Sequence, residues 1–179
     1  MEYRRLGKSG LQVSALSFGS WITFAKQIDN NTADTLMSTA YDSGVNFFDN
    51  AEVYALGESE KMMGRVLKNK KWDRTSYVVS SKAYFGWRGK ENKPNQSGLS
   101  RKHLTEACNE ALKRLQLEYL DLFFCHRPDK NVPIEEVEEI ILDYQSRTSV
   151  MLAQILLERL WKKKVAFKQA NENFIQEIG

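Results

Sequence analysis

Four short apolar runs alternate with three amphipathic segments in the first 125 residues, and that alternation restricts the fold more than any other feature. The runs are ALSFGSW, VNFFD, SYVVSS and YLDLFFC, apolar on both faces and rich in β-branched and aromatic residues, as strands buried on two sides are. Between the first two, Ala33, Leu36, Met37, Ala40 and Tyr41 recur at i, i+3, i+4, i+7, i+8, with Asn31 or Thr32 as the expected cap and Gly44 as the stop. The second helical segment presents Met62, Met63, Val66 and Leu67 on one face. In the third, Ser100 is the expected cap for a helix with Leu104, Ala107, Cys108, Ala111, Leu112 and Leu115 inward. Strands joined by helix-length crossovers run parallel, and the crossovers are right-handed. The order β-α-β-α-β-α-β leaves two architectures, an open doubly wound sheet or a barrel. Ahead of it, YRRLGKSGLQVS at 3–14 reads as a small hairpin turning through Gly7 and Gly10.

In either architecture the chemistry belongs at the carboxyl ends of the strands. Asp49 and Tyr54 follow VNFF, Lys82 follows YVVSS, and His126 follows LDLFFC. Singly, each has a plainer reading: a turn-capping Asp, a packing Tyr, a solvated Lys, a loop-capping His. Jointly, a phenol, an amine, a carboxylate and an imidazole at neighbouring strand ends form a proton-transfer set. Free tyrosine is a poor acid at neutral pH, and an ammonium beside a phenol favours the phenolate. A carboxylate would hold that ammonium in place, and a neutral imidazole would orient a carbonyl oxygen. Hydride would have to come from a cofactor, since no side chain supplies it. The loop of some sixteen residues from Tyr84 to Leu99, with Trp87, Arg88, Gly89, Pro94 and Gly98, is long enough to be functional.

Composition excludes several classes. With 179 residues the chain suits one well-cored domain. Its 26 basic residues are interspersed with 23 acidic ones for a net +3, and the densest basic cluster is Lys162 to Lys164, so no nucleic-acid surface is expected. Cys108 and Cys125 lack any metal-ligand spacing and are expected as reduced core thiols. The N-terminus has no signal-peptide stretch and no run approaches ~18 apolar residues, so a cytoplasmic protein without membrane insertion is expected.

The stretches YRRLGKSGLQVSALSFGSW, GVNFFDNAEVYALGESE, VVSSK, GLSRKHLTEACNEALKRLQLEYLDLFFCHRPD and VPIEE resemble the aldo-keto reductase superfamily, almost continuously from residue 3 to about 137. The branch they resemble includes the voltage-gated potassium channel β-subunits and their plant and bacterial relatives. The resemblance implies a (β/α)8 TIM barrel that binds NADP(H) at the strand ends and reduces a small aldehyde or ketone. It makes Tyr54 the general acid, Asp49 and Lys82 its tuning pair, and His126 the substrate orienter. It places Gly19, Ser20, Trp21, Gln27, Asp49 and Lys82 at the cofactor. Trp21 and Trp87 would line the substrate pocket, or else anchor core and loop. Animal channel β-subunits carry Asn where this chain has His126. The intact tetrad therefore favours a working reductase over a redox-sensing channel subunit, which stays the alternative.

After residue 137 the family pattern fades. A TIM barrel usually takes about 250 residues, so an incomplete barrel of four to six β/α units is expected, with residues 1–137 as the half-barrel and 138–179 as a divergent, mostly helical tail. Only Thr148 and Ser149 match the family's Gly-x-Ser-x-Trp segment. Phe167, Gln169 and Asn173 match a nicotinamide-stacking segment in which Glu172 replaces the aromatic. The family's loops for the pyrophosphate and the 2′-phosphate have no counterpart. A tail helix with Val150, Met151, Ile155, Leu156, Leu160 and Val165 inward would cover the open sheet or pair with another copy, giving a homo-oligomer; otherwise it is a remnant of later units.

Overall fold

A computed structural model describes residues 1–138. Residues Met1–Asp129 form one compact unit, and a second begins at Lys130. Of the second, residues 130–138 are described, and they end in a short helix, Ile134–Glu138. The expected tail and its family-like positions, Thr148 to Asn173, lie outside the described residues.

The first unit opens with a hairpin, β1 (Tyr3–Arg5) against β2 (Gln12–Ser14), antiparallel with Tyr3 opposite Ser14. Four parallel strands follow in the order β3 (Phe18–Gly19), β4 (Phe47–Asp49), β5 (Val78–Ala83), β6 (Leu122–Cys125). Helices α1 (Asn30–Asp42), α2 (Glu58–Lys70) and α3 (Arg101–Leu115) make the three crossovers. This sequential order with one helix per step is the pattern of a (β/α)8 barrel, carried here through four strands. An open doubly wound sheet would reverse its strand order, and this one does not. The register sets Gly19, Asp49, Ser80 and Leu122 side by side.

Local chemistry explains the boundaries. α1 is capped by Asp29, two to three residues earlier than expected, because its carboxylate accepts from the N–H of Thr32 at 2.8 Å. Gly44 ends it at φ +88. Ser100 caps α3 as expected, accepting from the N–H of His103 at 3.2 Å. Ala33 and Met37 bury the inner face of α1, whereas Leu36 stays 44% exposed. On α2, Met62, Met63, Val66 and Leu67 are all buried, and with Phe48, Val79, Ala111 and Leu115 they form the core between sheet and helices. Apart from Ala111, each such side chain stabilises the fold by roughly 1.5–3 kcal/mol against exposure. Beside them Trp72 stacks flat on Tyr41, ring centroids 4.0 Å apart.

Two expectations need correction. The first strand is only two residues long and half open rather than buried, since Phe18–Gly19 pairs with β4 on one side among the described residues. Cys125, the last residue of β6, is exposed rather than a core thiol, since burial falls along the strand from Leu122 to its end; Cys108 is partly buried, and both are free among the described residues. The hairpin is tied to the amino end of β4: Asn46 accepts from the N–H of Ser14 at 2.7 Å and donates to the carbonyl of Gln12. That end lies opposite the strand ends that carry Asp49 and Lys82.

Candidate active site

Asp49 is the last residue of β4, and Lys82 lies inside β5, one residue before its end. β5 runs two residues beyond the apolar run because Lys82 and Ala83 pair with Phe124 and Cys125 of β6. His126 follows β6 directly, its N–H donating to the carbonyl of Ala83 at 3.0 Å. Tyr54 stands on a turn whose next three residues, Ala55, Leu56 and Gly57, all adopt positive φ. Such a left-handed run is strained at Ala55 and Leu56, and it reverses the chain within one turn so that α2 can start at Glu58.

The Lys82 ammonium joins these elements. Its Nζ donates to Asp49 Oδ2 at 2.6 Å, to the carbonyl of Asn50 at 2.8 Å and to the Tyr54 hydroxyl at 3.2 Å. The three donors of an ammonium are thereby all placed. Asp49 is held in turn by the Ser80 hydroxyl, 2.5 Å from Oδ1. The Lys82 and Asp49 side chains are 15% and 26% exposed, so the pair is shielded but open to the strand-end surface. The His126 ring meets the Tyr54 ring edge-on at 5.9 Å. Burial first, then the charges of Lys82 and Arg127, push the His126 imidazole below its ordinary value, so it is neutral at neutral pH. Its Nδ1 is buried without a hydrogen-bond partner among the described residues.

Of the other anticipated site residues, Trp21 is 65% exposed and stacks on Tyr54, centroids 6.2 Å apart. Ser20 is fully buried, donating its hydroxyl to the Asp49 carbonyl at 3.0 Å, and Gly19 pairs with Asp49. Gln27 is exposed on the loop between β3 and α1. Trp87 packs elsewhere: its ring stacks on His103 at 6.2 Å and lies 4.8 Å from the Arg114 guanidinium.

Beneath this centre lies a buried polar layer that pattern reading missed. Glu60 accepts from the Ser81 hydroxyl and from Arg114 Nε, both at 2.6 Å, and Glu52 meets His103 at 3.3 Å. Burial pushes the Glu60 carboxyl up, against the opposing pull of Arg114 and Ser81. The signal was present: Glu60 precedes Met63 and Leu67 at helical spacing, and His103 and Arg114 fall on the stripe of Ala107 and Ala111. A charged residue on an apolar stripe announces a buried partner. Among the described residues no His, Cys, Asp and Glu cluster could hold a metal ion, and no helix is long and apolar enough to cross a membrane.

The profile of the Aldo/keto reductase family matches residues 15–150. Over 136 residues the chain is 50% identical to a protein of Arabidopsis thaliana named "Probable voltage-gated potassium channel subunit beta", covering 76% of this chain and 40% of that protein. A rice protein (Oryza sativa subsp. japonica) of the same name is 49% identical with the same coverage. The chain thus spans about 40% of the length of these relatives.

Proposed function

Since the chain belongs to the aldo/keto reductase family, we propose that its strand-end centre reduces the carbonyl of a small aldehyde or ketone, with NADPH as the hydride source. The observation that carries this reading is the single ammonium within hydrogen-bond distance of both Asp49 and Tyr54. The residues present fit the reacting end of a nicotinamide. A Cβ added at Gly19 would meet no atom within 4 Å, so the backbone beside Asp49 is open to a flat ring. Gly19, Ser20, Trp21, Gln27, Asp49 and Lys82 are the residues that would hold it. When bound, the cofactor supplies the hydride. Tyr54 gives its hydroxyl proton to the carbonyl oxygen, and the Lys82 ammonium stabilises the phenolate left behind. Asp49 keeps that ammonium in place. Neutral His126 donates a hydrogen bond to the same carbonyl oxygen and orients it. The test is an NADPH titration followed by cofactor fluorescence, with turnover measured on a panel of carbonyl compounds. Saturable micromolar binding with turnover that Tyr54→Phe abolishes, at unchanged cofactor affinity, is expected. Unchanged turnover in that variant would sink the mechanism.

The names of the two plant relatives favour one further reading, a subunit that assembles with a potassium channel; under that proposal the protein is cytoplasmic, regulatory and joined to copies of itself. Pull-down with channel cytoplasmic domains separates the readings, and no capture above background counts against the second.

A further inference from the structure

We propose that Glu52 is a positioning residue whose buried side chain clamps the loop after β5 and so sets Phe85 as a wall against His126. The proposal rests on the reductase reading for its catalytic consequence, but the clamp itself does not depend on that reading.

Glu52 lies between Asp49 and Tyr54 in the chain and is only 1% exposed. Its backbone N–H donates to the carbonyl of Lys82 at 3.1 Å, which ties it to the strand that carries the ammonium. Its Oε1 accepts from the N–H of Tyr84 at 2.8 Å and of Gly86 at 2.7 Å. The Nε2 of fully buried His103, on α3, lies 3.3 Å from the same oxygen. One carboxylate oxygen thus grips the amides on both sides of Phe85 and is itself backed by α3. Among the described residues those two N–H groups find no other acceptor, so an apolar side chain at this position would leave the part-buried Tyr84 amide and the buried Gly86 amide without a partner.

What the clamp holds faces the reacting centre. Phe85 is 40% exposed, and its ring meets the His126 ring edge-on at 5.3 Å. The loop is already folded on itself: Asn92 donates to the Phe85 carbonyl at 2.7 Å, and the N–H of Gly98 donates to that of Tyr84 at 2.7 Å. Gly86 has φ +72, and a Cβ there would come within 2.3 Å of the Gln96 carbonyl oxygen, so this turn admits only glycine. The loop therefore has a fixed internal shape, and Glu52 decides where that shape sits relative to His126. Among the described residues Glu52 has no hydrogen bond to the Tyr54 hydroxyl, and its charge is the weakest of the effects that act on the His126 imidazole, so Phe85→Ala, which keeps that charge, isolates the wall.

The experiment is amide hydrogen exchange on the full chain, read at Tyr84 and Gly86, for the wild type, Glu52→Gln and Glu52→Asp. Glutamine weakens the clamp by removing the charge, and aspartate is one methylene too short to reach both amides. Each variant is expected to exchange these two amides at least about tenfold faster, with Val79 in β5 unchanged. Unaltered exchange at both positions in a folded variant overturns the clamp. If one variant does not fold, the other decides. Steady-state kinetics then test the consequence: Glu52→Gln and Phe85→Ala should each raise KM for the carbonyl substrate several-fold, with kcat within about twofold and NADPH affinity unchanged. A fall in kcat with KM unchanged overturns the wall. A chain without turnover refutes the reductase reading and, with it, the wall's catalytic role, while the exchange result still decides the clamp.

Discussion

Gly64 sits where α2 crosses the end of α3, and replacing it with alanine sets two effects of opposite sign against each other. In a helix interior alanine is better than glycine by about 1 kcal/mol. Here, however, the added Cβ would lie 2.5 Å from the carbonyl oxygen of Arg114 and 2.6 Å from the carbonyl carbon and oxygen of Leu115. Those are backbone atoms, roughly 1 Å inside the 3.4 Å at which ordinary contact begins, and no rotamer change relieves them. The two helices must part. The seam they share packs Met63, Val66 and Leu67 of α2 against Ala111 and Leu115 of α3, all buried. Opening such a seam by 0.5–1 Å forfeits about a quarter to a half of each contact's dispersion energy. Overpacking of this kind costs typically about 1–3 kcal/mol, and pulling Arg114 away from Glu60 adds to it. The net expectation for Gly64→Ala is a loss of about 2 kcal/mol, a fall in Tm of roughly 4–8 °C for a chain of this size.

The assay is urea and thermal denaturation followed by circular dichroism, with Gly10→Ala as the matched control. Gly10 lies in the hairpin turn, has no atom within 4 Å of an added Cβ and has no positive φ. That substitution should be neutral or stabilise by up to about 1 kcal/mol through the unfolded chain. If Gly64→Ala melts at or above the wild-type temperature, propensity has won and the close approach of α2 to α3 is wrong.

Other outcomes follow from the same geometry. Lys82→Met removes a positive charge that depresses His126, so the imidazole midpoint read by NMR titration should rise toward its ordinary value near 6.5, and turnover should fall at least a hundredfold; an unmoved midpoint refutes the assigned charge effect. Because His126 binds its proton more weakly folded than unfolded, the unfolded chain protonates first as the pH drops. Stability present above about pH 6.5 should therefore be lost as the pH falls through the lowered His126 midpoint, and His126→Gln should flatten that part of the urea-midpoint profile. Arg74 donates to the carbonyls of Tyr77 and Tyr119 and to Asp121 Oδ2, and lies over both tyrosine rings. Arg74→Ala should cost about 2 kcal/mol in urea denaturation, less than a fully buried pair because Asp121 keeps the N–H of Val79. A loss below about 0.5 kcal/mol refutes that role.

Much of this arrangement was legible in the chain because its signals are local. The apolar stripe of α2 and the caps at Gly44 and Ser100 need only a few neighbouring residues, and the helix-length crossovers alone force the strands parallel. What failed did so for want of distant partners. Leu36 fits the helical stripe of α1 as well as Met37 does, yet it is exposed, since helical spacing does not say how wide the buried face is. The extent of β5 escaped a hydropathy reading because Lys82 is held in the strand by pairing with Phe124, not by its own side chain. Glu60, His103 and Arg114 lie on apolar stripes that imply burial, but which partners they meet, up to 54 residues away along the chain, follows only from the fold.

By itself, then, the sequence determined the element order, the parallel sheet, the strand ends at which Asp49, Lys82 and His126 cluster, and, through long family motifs, membership in the aldo/keto reductases. Tertiary structure alone decided the distances at which one ammonium meets the carboxylate and the phenol, that Trp87 packs on His103 and Arg114, and that Glu52 grips the loop around Phe85. The physical reason is range. Periodicity and capping act over a turn of helix or a pair of strand residues, whereas hydrogen bonds between residues some thirty positions apart exist only once the sheet has brought their strand ends side by side.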